Sequence, residues 1–69
     1  MSEEMKFFMY LVECYADHKN MKTSEVLNEW EEHGVTQKIY DNYWVYSTER
    51  LENAYMDIES LLQTGKHAW

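Results

Sequence analysis

Residues 5–15, MKFFMYLVECY, decide how the rest of the chain is read. At helical spacing Met5, Phe8, Met9, Val12, Tyr15 and Ala16 form one apolar face, and Phe7, Leu11 and Cys14 form a second stripe beside it. Only Lys6, Tyr10, Glu13 and Asp17 remain as a wetter stripe, and one of those is a tyrosine. A helix lying on a soluble surface needs a single apolar stripe about 100° wide. This segment offers nearly twice that, so it is expected to be a central helix contacted from two sides. Ser2 with Glu3 and Glu4 supplies a hydroxyl cap and two acids for the positive end of the dipole. The helix is expected to end near Ala16 or His18, with Asp17-His18-Lys19-Asn20 closing it.

Working outward, Thr23-Ser24-Glu25 opens a second helix with Thr23 as its cap. Val26, Leu27 and Trp30 point inward there, Asn28, Glu29, Glu31 and Glu32 outward, and His33-Gly34 stops it. Thr36 caps a third helix reaching about Tyr46. Ile39, Tyr43 and Tyr46 share one of its faces, and Tyr40 and Trp44 share another. The run Tyr43–Tyr46 has strand-like content, but no second run exists to pair with it. Ser47-Thr48-Glu49 opens a fourth helix whose apolar face is Leu51, Ala54, Tyr55, Ile58, Leu61 and Leu62. Arg50, Glu52, Asn53, Asp57 and Glu59 are assigned to water, Gly65 is the stop, and residues 66–69 are left as a loose tail. The expected fold is all-α: one domain over residues 1–69, a compact bundle of about four helices. The first and last helices are expected to be longest and to lie antiparallel.

A domain of 69 residues buries only about 60% of the surface its unfolded chain exposes. Cys14 is the only cysteine, so no disulfide helps, and on an apolar face it acts as a small hydrophobe. The absence of a disulfide framework and of a signal-peptide pattern makes a cytoplasmic location the expectation. The longest apolar run, Phe7 to Val12, is far short of the roughly 20 residues of a membrane span, so no membrane is expected. The net charge of −7, with six basic residues, argues against nucleic acid as a ligand. The acidic excess keeps a small protein soluble; its sharper reading is a surface that meets a basic groove on a partner protein.

The spacing of the reactive side chains offers little chemistry. Cys14 and His18, and Glu29 and His33, are each one helical turn apart. Neither pair has the second half that a structural zinc site needs, so no metal is expected. The only two glycines, Gly34 and Gly65, are helix stops, which leaves no phosphate cradle and no expected cofactor. Cys14 lacks the base and exposure of a nucleophile, so no catalytic residue is assigned and an enzyme is not expected. The aromatic residues, 16% of the chain, are the better lead. Trp30 and Tyr43 suit the core, whereas Tyr40 and Trp44 lie on the other face of the third helix. Tyrosine and tryptophan are enriched at the energetic centres of interfaces. Tyr40 and Trp44, with the acids Glu29 and Glu32, are therefore the candidate partner-binding residues.

Taken together, FFxxLVE near the N-terminus, KTSEVLNEWEEHGVTQKIYDNY, and ENAYMDIESLL resemble a family of short bacterial proteins classed as a domain of unknown function. The resemblance runs from Met5 to about Leu62. Its most recognisable pieces are Ser24-Glu25-Val26-Leu27, Gly34-Val35 with Ile39-Tyr40-Asp41-Asn42-Tyr43, and Asp57-Ile58. Family members often carry a histidine after the aromatic helix, where this chain has Tyr46-Ser47-Thr48. Genes of the family often lie beside genes for ADP-ribosyltransferase-like toxins. The resemblance thus implies an antitoxin or accessory partner of a neighbouring enzyme, and no catalytic residues. The rival expectations are a self-associating homodimer that buries surplus aromatics and an acidic mimic of nucleic acid.

Overall fold

The computed structural model describes all residues, 1–69. Five helices and no strand make up the chain: α1 Glu3–Lys19, α2 Thr23–Glu32, α3 Val35–Asp41, α4 Tyr43–Thr48 and α5 Leu51–Thr64. The Ser2 hydroxyl caps α1 as expected, accepting a hydrogen bond from the Met5 amide at 3.1 Å. Three left-handed residues, Asn20, Gly34 and Gly65, end or separate helices. The glycines carry φ of +71° and +78°, a region that costs a side chain with a Cβ and costs glycine nothing.

The third expected helix is two helices. Asn42 sits at φ −116°, ψ 33°, and both its amide nitrogens are spent on one acceptor: backbone N and Nδ2 donate to the Lys38 carbonyl, at 3.0 and 2.9 Å. A short amide side chain that competes for the turn's own acceptor is a helix terminator. The Asn42 carbonyl then accepts from Val45 and Tyr46 and starts α4. The other caps shift too. Lys22 rather than Thr23 precedes α2, its backbone N–H donating to the Glu25 carboxylate at 2.9 Å. Gly34, not Thr36, precedes α3. Ser47 and Thr48 close α4 instead of opening α5, because the Thr48 hydroxyl donates back to the Trp44 carbonyl at 2.7 Å.

Trp30 is the centre of the packing. It is fully buried, with Phe8 and Tyr15 rings 5.9 and 5.3 Å from its own. Leu11, Val26, Val35, Ile39, Tyr46 and Ile58 belong to the same buried core. Its indole N–H has no hydrogen-bond partner, so packing alone holds the ring. α1 lies chiefly against α2, and α2 against α3. The two long helices do not run along one another; α1 meets α5 through Tyr15, His18 and Lys19 against Tyr55 and Glu59. Met5, Met9 and Leu27, expected inside, are 44%, 48% and 42% exposed. Phe8, Leu11, Val12, Tyr15 and Ala16 take the core-facing arc of α1, and no element covers the methionine edge.

Asp57 departs furthest from its expected place. Expected to face water, it is the one buried charged residue of the chain. Its carboxylate accepts from the Tyr46 hydroxyl and the Ala68 backbone N–H, and it lies 2.8 Å from His67 Nδ1. Trp69 packs edge-on against Tyr46, ring centres 5.4 Å apart, and stacks on His67 at 4.3 Å. Residues 66–69 are thus a clasp folded back over α4 and α5 rather than a loose tail. Three donors satisfy a carboxylate whose burial would otherwise be costly.

Candidate functional site

The four residues singled out from sequence are not gathered into one patch. Tyr40 is half-buried, its ring 5.0 Å from Phe8, and it helps seal the core. Trp44 is 77% exposed. Glu29 is half-buried near Tyr15, and Glu32 is exposed on α2. No hydrogen bond or ring contact links α2's two acids to Tyr40 or Trp44.

Trp44 instead heads a different assembly. Its ring meets Tyr43 edge-on at 5.3 Å, and Tyr43 meets Phe7 edge-on at 5.7 Å. Along α1, Phe7 is followed at helical spacing by Tyr10 and Cys14. Tyr10 is 54% exposed, and Cys14 beside it raises its phenol pKa. Tyr55 comes next on α5, its pKa raised by burial first and then by Cys14 and Tyr10. It stacks on His18 at 4.4 Å with the planes 16° apart. The result is a strip of half-exposed aromatic rings along one flank of α1, from Trp44 at the α4 end to His18 at the α5 end. The break at Asn42 is what makes it: it separates α4 from α3 and lets Tyr43 reach Phe7.

Below the strip the tyrosines change role. Tyr15 is buried and donates to Glu59 Oε1 at 2.8 Å, and Lys19 Nζ approaches the same oxygen at 2.8 Å. Burial, and then the Glu59 contact, push the Tyr15 phenol well above its ordinary range. The Lys19 ammonium holds the Glu59 carboxyl below its usual value. No three His, Cys, Asp or Glu side chains gather as metal ligands would. Asp57, the carboxylate best shielded from water, already holds three donors. What the flank offers chemically is ring surface with polar tips, suited to burial against another surface.

Residues 6–65 match the family described as Protein of unknown function (DUF3791). The chain belongs to that family. The match takes in α1 from Lys6 onward, the other four helices in full, and both ends of the aromatic strip, Trp44 and His18. Among curated proteins and solved structures, none matches the chain. No helix is long and apolar enough to cross a membrane.

The strip was only half visible in sequence. Tyr10 stood out as the one aromatic in the wet stripe of α1, and that was its signal. The Phe7–Tyr43 and Tyr55–His18 contacts join residues 36 and 37 positions apart and left no local trace.

Proposed function

We propose that this protein is a binding module that docks on a partner protein through the aromatic strip of α1, with Trp44 as its anchor. The observation that carries the reading is Trp44 itself: 77% exposed and continuous with Tyr43 and Phe7. Exposed tryptophan and tyrosine in one continuous surface match the composition of energetic centres in protein interfaces. The reading is of binding rather than catalysis, since Asp57 is consumed by the clasp and Cys14 lies among tyrosines with no base against it. The partner is an enzyme encoded beside it, of the ADP-ribosyltransferase-like toxin kind, and the module acts as its antitoxin or accessory subunit by covering a basic cleft. The net charge of −7 supports that choice of partner and opposes nucleic acid.

The test is co-purification of the tagged chain expressed with its native neighbouring genes, followed by the mass of the eluted species. A stoichiometric complex with a neighbour, weakened by Trp44→Ala, is the expected result. A clean homodimer with nothing else bound would overturn the reading and favour self-association.

A further inference from the structure

The opposite flank of α1 carries a second surface. Between α1 and α2 lies an open groove of about 120 Å³, its walls Phe8, Met9, Val12 and Glu13 on α1 and Thr23 and Leu27 on α2. Met5, one turn before Met9 on the same edge, extends it. The exposed apolar atoms here belong to two methionines and a leucine, and methionine's unbranched thioether adapts its shape to what it meets. We propose that this groove receives the apolar face of a cationic amphipathic helix from a partner protein.

Charge selects that occupant. Glu13 lines the groove, and Glu31 lies one turn beyond Leu27 on the same face of α2, exposed. Neither has a cationic partner: the three ion pairs of the molecule use Glu3, Glu59 and Asp57. The cation on the adjoining face of α1, Lys6, is held by Glu3 at 3.5 Å. An apolar trough with an unpaired acid on each wall fits a helix with leucine-like anchors at i, i+4 and i+7 flanked by Lys or Arg. A second copy of this chain fits worse. A two-fold interface sets the same patch on both sides, so Glu13 and Glu31 would face their own kind in a chain already at −7.

The inference rests on the module reading above but uses a separate surface, so the two fail separately. The probe is a synthetic helix with Leu at i, i+4 and i+7 and Lys elsewhere, set against the same Leu pattern with Glu for Lys. The readout is the methionine methyl NMR spectrum of the full chain. Saturable shifts of Met5 and Met9, with Met56 unmoved and the acidic peptide inert, are expected. Leu27→Gln and the exposed-site variant Glu13→Lys should each weaken binding about tenfold, and Trp44→Ala should leave it unchanged. Equal binding of both peptides, or indifference to Leu27→Gln and Glu13→Lys, would overturn the groove. So would methyl shifts on concentrating the chain alone, which would identify a second copy as the occupant. Peptide binding that leaves Met5 and Met9 unmoved and is lost in Trp44→Ala would overturn the groove while leaving the aromatic strip in place. Failure of the module reading would show instead in the co-purification, as a chain without a heteromeric partner.

Discussion

Trp30 and Trp44 are fourteen residues apart and have opposite surroundings. Trp30 is 0% exposed, wedged between Phe8 and Tyr15. Trp44 leans on Tyr43 and otherwise faces water. The inner seam of α1 is closed even at the expense of an unpartnered indole N–H on Trp30. The outer flank is left open although its rings are large enough to bury. In so small a domain every buried ring matters to stability, and the flank leaves Trp44 and Tyr10 mostly exposed while Phe7 and Tyr55 only rest on the core.

Substitutions on the two sides of that contrast should differ in kind. Trp30→Ala carries the largest expected effect, a loss of about 4 kcal/mol. That approaches the whole stability of a chain this size, about 5 kcal/mol, and should appear in circular dichroism as a largely unfolded protein at 37 °C. Asp57→Ala comes next. It strands the Tyr46 hydroxyl and the Ala68 N–H and should cost about 3 kcal/mol in urea unfolding. Amide exchange in residues 66–69 should rise at the same time. If Asp57→Ala instead left the unfolding midpoint unchanged, the clasp would be an ornament of the C-terminus.

Alkaline pH gives a smaller effect, largest on the inner side, with Tyr10 and Tyr55 on the strip adding to it in the same direction. Burial first, then the Glu59 and Asp57 contacts, raise the Tyr15 and Tyr46 phenols above their ordinary value of 10.0. A folded-state pKa above the unfolded one means the contribution is complete below pH 10 and is lost as pH rises past it. Unfolding free energy should therefore decline above pH 10, and Tyr15→Phe with Tyr46→Phe should flatten that decline. Each of these substitutions removes one hydrogen bond, worth about 1 kcal/mol at neutral pH. On the acid side the sign reverses. Lys19 depresses Glu59, so its contribution is present above the ordinary carboxylate value of 4.5 and is lost as pH falls through the lower folded value. Because this pair is about one-third exposed, the acid effect should be slight, and Lys19→Met should remove it.

How much of this was legible follows the same division. The core was readable because its signals are local: the width of the apolar arc on α1, Trp30 in phase with Val26, the Ser2 cap and the two glycine stops. Asp57 had a signal that went the wrong way. It lies three residues after Ala54 and four before Leu61, squarely on the apolar face of α5, yet its charge assigned it to water. Only the return of His67 and Ala68, ten and eleven positions later, makes its burial tolerable. Met5, Met9 and Leu27 were hydrophobic and in phase, and periodicity carries no information on whether a further helix exists to cover them. The break at Asn42 was missed, because whether its side chain caps a helix or faces water is decided by the three-dimensional turn.

The most direct test of the central claim compares Trp44→Ala,Tyr10→Ala with the unchanged chain in two measurements on the same preparations: thermal unfolding and affinity for the co-purified neighbour. Unfolding should move by less than about 0.5 kcal/mol, while affinity should fall by about 2 kcal/mol, roughly thirtyfold. A loss of stability comparable to that of Trp30→Ala, or full affinity in the double variant, would contradict the account and return the strip to the core.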